Sequence, residues 1–166
     1  GPSSSHTLGP WRAAIWWLEE IEEKGGVASL EHVEVHLYGS LSLTGIGHAT
    51  DIATVLGLCG FDPITYPTDQ IDNHIATVKH EKTLLVNSLK PISFDFQKDI
   101  HFHKTFLDFH PNGMTIKGTF SDGSVYEENY YSIGGGFVVK EQKQEAVEGI
   151  SKTSVFPFPI EKGTEL

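Results

Sequence analysis

Apolar positions in the chain change their period once, near the middle. In the first half, Trp11, Ala14, Ile15, Leu18 and Ile21 recur at helical spacing, while Glu19, Glu20, Glu22 and Glu23 cover the opposite face. Pro10 suits the first position of that helix and Gly25-Gly26 stops it. Val33, Val35 and Leu37 then alternate with His32, Glu34 and His36, the pattern of a half-buried strand whose solvated face carries both histidines. Residues 39–47 are small and polar. A second helix follows, with Ile52, Val55, Leu56 and Cys59 inward. Residues 61–67 form a proline-punctuated loop. Thr68 stands where it caps a third helix that turns Ile71, Ile75 and Val78 inward and leaves His74 and His80 on the surface.

The second half alternates with period two. Ile92, Phe94 and Phe96 form one such run, Ile100, Phe102, Lys104 and Phe106 another, and Met114, Ile116, Gly118 and Phe120 a third. Residues 121–124 (Ser-Asp-Gly-Ser) and 110–113 (His-Pro-Asn-Gly) are turn signals, and a strand is predicted from about Val125 to Ser132. Short strands joined by tight turns suggest an antiparallel meander. Helices first and strands second predict an α+β fold, a mostly antiparallel sheet with helices packed on it.

Composition narrows the function. The chain has 166 residues, enough for one domain with a core of its own, and 39% of them are hydrophobic. Net charge is −10 and Arg12 is the only arginine, so the clustered cations that phosphate backbones require are missing and nucleic acid is excluded as a partner. No apolar run approaches the roughly 20 residues that span a bilayer, and no signal peptide is present, which points to the cytoplasm and away from membranes. One cysteine, Cys59, excludes an internal disulfide framework and any self-contained thiolate metal centre. It falls on the apolar side of its helix and reads as a buried, inert thiol. The only methionine is Met114, so the chain carries no start codon; Gly1-Pro2 reads as native loop, with a protease scar as the alternative.

Candidate chemistry clusters in polar loops. Ser3, Ser4, Ser5, His6 and Thr7 precede a helix, where hydroxyls and free backbone N–H groups suit a carboxylate or serve merely as caps. Gly45, Gly47 and His48 open the second helix; a helix dipole opposes protonation of that imidazole, which then accepts a proton or simply bonds to backbone. His110 and Asn112 share a turn. His101 and His103 share a strand face without an obvious acidic third ligand, and no metal site is assigned there. Gly134-Gly135-Gly136 ends a strand but lacks the lysine of a phosphate loop.

Taken together these islands resemble a known family. The opening Gly1-Pro2-Ser3-Ser4-Ser5-His6-Thr7, then Gly9-Pro10 and Arg12-Ala13-Ala14, resembles the first motif of bacterial iron–sulfur-dependent L-serine dehydratases. Leu37-Tyr38-Gly39-Ser40-Leu41, Thr44-Gly45, Gly47-His48 and Thr50-Asp51 are similar to the second. His110-Pro111-Asn112-Gly113-Met114 and the run from Tyr130 to Phe137 are similar to the third and fourth, and the tail Phe156-Pro157-Phe158-Pro159 to the linker that follows.

The resemblance implies a β domain over residues 1–139, similar to the allosteric substrate-binding domain of some phosphoglycerate dehydrogenases, and a linker or tail over 140–166 leading to an iron–sulfur catalytic domain. It implies conversion of L-serine to pyruvate and ammonia without pyridoxal phosphate. The [4Fe–4S] cluster would be held by the other domain and no cofactor by this chain, which alone should be inactive. His48 would be the base, with His6 as a second catalytic group; Ser3, Ser4, Ser5, His110 and Asn112 would bind substrate. Expected partners are L-serine, the catalytic domain and a second copy of the chain in a homodimer. His32, His36, His74, His80, His101 and His103 match no motif and stand as structural. Two other functions fit the same residues: a non-catalytic amino-acid-binding regulatory domain, and a scaffold whose motif residues only make turns.

Overall fold

A computed structural model describes residues 4–43, 49–145 and 151–157. The apolar repeat that begins at Trp11 forms helix α1, Leu8–Glu23. It starts two residues before Pro10. The Gly9 amide is held by the Ser4 carbonyl and the Trp11 amide by that of Thr7. Proline at the third position is tolerated because amides of the first turn have no intrahelical acceptor to lose. Trp17, Ile21 and Ala14 are fully buried, where α1 packs between the sheet and helix α3, Thr50–Leu58.

The alternation 33–37 forms strand β1, Leu30–Leu37, with Val33, Val35 and Leu37 completely buried. A four-residue helix α2, Gly39–Ser42, follows. Residues 68–70 are a 3-10 turn running into α4, Ile71–Glu81, and Thr68 makes no side-chain cap there. Hairpin β2–β3, Thr83–Val86 and Lys90–Ser93, forms a separate small sheet. The alternation through Phe94 and Phe96 does not stay extended. Asp95 accepts from the Gln97 amide and Asp99 from the Asp95 amide, and these caps wind residues Phe96–Asp99 into a short helix, α5. Both phenylalanines remain buried, edge to face at 5.9 Å.

Strands β4 (Ile100–Phe102), β5 (Gly113–Phe120), β6 (Val125–Gly134), β7 (Phe137–Glu145) and β8 (Ser151–Pro157) complete a six-stranded sheet of order β4-β1-β5-β6-β7-β8. β5 and β6 are strands of the predicted meander, and β7 and β8 extend it into residues that the sequence reading assigns to a linker or tail. Every pairing is antiparallel except β1 with β4, which is parallel. The α+β class is as predicted. The sheet runs past residue 139, where the sequence reading closes the domain: β7 crosses that point, and Val139 and Lys140 pair with Pro157 and Phe156 of β8. No helix among the described residues is long and apolar enough to cross a membrane.

Candidate functional site

Four loops that carry the sequence motifs meet at one end of the central strands. β1 delivers the chain to Gly39, whose φ of +52° belongs to the left-handed region that favours glycine. A Cβ there would lie 2.5 Å from both the Phe106 ring and the Pro111 carbonyl oxygen. The amides of Tyr38, Gly39 and Ser40 donate to the carbonyls of Gly113, Thr105 and Pro111. The end of β1 is thus stitched to the loop that carries His110 and Asn112.

His6 joins the opening loop to the same place. Its Nε2 is 3.0 Å from the Ser40 carbonyl oxygen. A carbonyl only accepts, so Nε2 carries the proton, and in the neutral ring Nδ1 accepts from the Ser5 hydroxyl at 3.1 Å. The backbone of His6 is fixed from the other side. Thr50 Oγ1, fully buried, donates to the His6 carbonyl at 2.8 Å, and Thr54 Oγ1 donates to the Thr50 carbonyl at 2.7 Å. Asp51, also fully buried, accepts the Ile52 amide with Oδ1 in the first turn of α3, where a helix favours negative charge.

Asn112 and Ser132 form a two-way bridge. The Asn112 side-chain amide donates to the Ser132 carbonyl at 3.0 Å, and the Ser132 amide donates to the Asn112 carbonyl at 3.0 Å. His110 Nδ1 accepts the Asn112 amide, so its ring serves the turn. The Ser132 hydroxyl is buried with no hydrogen-bond partner among the described residues, and it lies against Gly9 at the start of α1. Arg12 Nη1 donates to the Gly136 carbonyl at 3.1 Å and ties α1 to the glycine turn between β6 and β7.

Of the predicted site residues, Ser4, Ser5, His6, His110 and Asn112 therefore come together, all half-buried. Ser3 and His48 lie outside the described residues. The sequence places Ser40, Thr50 and Ser132 within the motifs but assigns them no individual role, because their importance lies in contacts 20 to 44 residues away along the chain. An open depression of about 390 Å³, lined by Tyr66, Gln70, Asn73, His74 and Thr77, shares no residue with this cluster.

The histidines read as structural prove less solvated than their strand pattern implies. His32 Nε2 is 2.8 Å from Asp99 Oδ1. His36 contacts His103 at 2.8 Å and Glu34 at 3.1 Å, and its ring stacks on His101 at 4.5 Å. Burial, then the neighbouring His36 and His101, hold His103 below the ordinary imidazole value. Burial raises Glu34, but its His36 hydrogen bond and the charge of Lys117 outweigh this and keep it below the usual carboxylate value. His74, predicted at the surface, is half-buried against Phe61, with Nε2 3.5 Å from Cys59 Sγ. His80 is exposed, as predicted.

Comparison with known proteins identifies the family. The family model described as serine dehydratase beta chain matches residues 1–143. The chain belongs to the serine dehydratase beta chain family. It is 43% identical over its whole length to L-serine dehydratase 1 of Escherichia coli strain K12, covering 36% of that protein. It is 39% identical to L-serine dehydratase of Haemophilus influenzae and 38% identical to that of Streptomyces coelicolor, covering 36% and 37% of them. The chain thus spans about a third of the length of these curated relatives. The iron–sulfur cluster that the resemblance implies does not fit this beta-chain sequence as a set of ligands. Its one cysteine is 1% exposed, and burial pushes the thiol up to about 12, far from the thiolate that iron requires.

Proposed function

We propose that this chain forms the substrate-facing wall of an L-serine dehydratase, which converts L-serine to pyruvate and ammonia by elimination of the hydroxyl and hydrolysis of the resulting aminoacrylate. It would do so only together with a cluster-bearing domain that supplies the thiolates this chain lacks. The observation that carries the reading is the convergence of the family's four motifs. Segments 4–6, 39–41, 110–113 and 132–136 are far apart in sequence and are tied to one another or to α1 by hydrogen bonds from His6, Ser40, Asn112 and Arg12. Turns alone need no such convergence, so a scaffold explains it less well.

In this reading the His6 ring, held by Ser40 and Ser5, and the hydroxyls of Ser3, Ser4 and Ser5 orient the zwitterionic amino acid. Asn112 fixes the turn beside it, with His110. His48 takes the α-proton. Its match to the family's second motif supports that role, which needs a neutral imidazole able to accept a proton.

A second feature supports docking of another domain over this wall. Leu43, Phe106, Phe109, Ile133 and Phe137 belong to or flank the motif loops and are between 45% and 79% exposed. Apolar side chains gathered around a polar centre are the composition of an interface.

The test is pyruvate release from L-serine by the complete, anaerobically prepared enzyme. His48→Ala should lower turnover by about 10²–10⁴-fold, the usual contribution of a general base, with cluster absorbance unchanged. Full activity in that variant would move the base elsewhere. Binding of serine to this chain alone, with turnover intact in the motif variants, would assign a regulatory amino-acid site instead.

A further inference from the structure

Away from the motif loops' hydrogen bonds, the polar face of β1 and its edge neighbour β4 carries a cluster that the dehydratase reading does not use. Glu34 and His36 are two residues apart on β1 and so share a face. His101 is the register partner of His36 in the parallel β1–β4 pair and stands on the same side, its ring stacked nearly parallel to that of His36, 4.5 Å between centroids and 9° between planes. One ligand atom from each of Glu34, His36 and His101 lies within 4.8 Å of the others. Glu34 Oε1 is 3.1 Å from His36 Nε2 and 3.8 Å from His101 Nε2. A tetrahedral zinc ion with bonds of about 2.0–2.2 Å holds its ligand atoms roughly 3.3–3.5 Å apart, so these separations need adjustments of only a few tenths of an ångström to a little over one, together with a turn of the His101 ring out of its stack on His36 so that both nitrogen lone pairs meet the ion.

We propose that Glu34, His36 and His101 form a binding site for a zinc-class divalent ion, separate from the iron–sulfur chemistry of the family. The donor set is two imidazoles and a carboxylate, which suits zinc and its neighbours in the first transition row and not calcium or magnesium, whose sites are built from oxygen. The side chains are 26%, 20% and 40% exposed, so solvent reaches the site and water completes the coordination. The surroundings fit as well. A metal-bound imidazole donates its other N–H to an acceptor that fixes the ring. When His36 Nε2 takes the metal, Nδ1 keeps the proton, and His103 Nε2 waits 2.8 Å away to accept it. The His103 ring is itself stacked on Tyr38 at 4.6 Å.

The placement gives such an ion a mechanical role. β4 is an edge strand paired to β1 over only three residues, Val35, His36 and Leu37 with Ile100, His101 and Phe102. From its end leaves the loop that carries His110 and Asn112. An ion shared by His36 and His101 would clamp β4 to β1 and brace that loop without touching substrate.

The experiment is equilibrium dialysis of the untagged chain against zinc chloride, followed by metal analysis, and the absorption spectrum of the cobalt(II)-loaded chain. One zinc per chain is expected. The cobalt spectrum should show the visible bands of a four- or five-coordinate site and no sulfur-to-cobalt charge transfer. Zinc affinity should fall at least tenfold in Glu34→Gln and in His101→Gln, fall tenfold to a hundredfold in His103→Phe, and hold in His80→Gln. Saturating zinc should raise the melting temperature of the parent and leave that of His101→Gln in place. Absence of stoichiometric zinc would overturn the proposal, as would equal retention by Glu34→Gln and His101→Gln. A thiolate band that disappears with Cys59→Ala would place the metal at Cys59 and His74 and overturn it too. The cobalt spectrum of the parent decides the donor type even if a variant fails to fold.

Discussion

A Cβ built on Gly9 falls 1.9 Å from the Ser132 hydroxyl oxygen and 2.7 Å from its Cβ. The start of α1 and the end of β6 therefore touch without a side chain between them. Gly9→Ala should destabilise the chain by about 1–3 kcal/mol through overpacking, read from urea melts at constant m-value. The double variant Gly9→Ala with Ser132→Gly should recover much of that loss. Ser132→Ala alone should be close to neutral, because the hydroxyl it removes is buried and has no partner among the described residues. A loss above 1 kcal/mol in Ser132→Ala would mean that the hydroxyl is satisfied after all.

Thr50→Val keeps the shape of a fully buried side chain and removes the hydroxyl that holds the His6 carbonyl. The expected cost is about 1–3 kcal/mol, since the carbonyl loses a partner. In the complete enzyme, pyruvate formation should drop by more than that stability loss explains at temperatures where the variant remains folded. Unchanged turnover would detach the position of His6 from catalysis.

Cys59 should resist thiol reagents. With the side chain buried and its ionisation raised to about 12, almost no accessible thiolate exists near pH 8. A disulfide-exchange reagent should label it only in denaturant. Fast labelling of the native chain would show that α3 and α4 separate readily at this point.

His74 sets a pH dependence. Burial lowers its pKa below the ordinary imidazole value. The unfolded chain therefore binds the proton more readily than the folded one, and the stability His74 contributes is complete above about pH 6.5 and is lost as pH falls through its lower folded value. Subtracting the stability profile of His74→Gln from that of the parent should leave a curve that is flat above neutrality and declines on acidification. A flat difference down to pH 4 would contradict the burial of this ring.

Helix α1 and strands β1, β5 and β6 are legible in the sequence because their periodicity is local and long. Trp11 to Ile21, Val33 to Leu37 and Met114 to Phe120 each repeat often enough to fix a face. The elements that differ are those decided by two or three polar atoms. The Asp95 and Asp99 caps turn an apparent strand into α5. The position of Pro10 depends on carbonyls from Ser4 and Thr7. Strand neighbours are not written in any window: the parallel placement of β4 beside β1 puts His101 against His36 across 65 residues of chain, so no local pattern brings Glu34 beside them. The site shows the same division. Its motif residues stand out in the sequence, but the contacts of Ser40, Thr50 and Ser132 depend on how distant loops meet.

The spans of those contacts bear on how the chain acquires its working form. His6 reaches Ser40 across 34 residues and Thr50 across 44, and Arg12 reaches Gly136 across 124. No short segment holds more than one corner of the cluster, so closure waits on long-range chain encounters that raise contact order and slow folding. A nick or permutation between Thr50 and Asn112 should therefore leave a working cluster only where both pieces still find the same sheet.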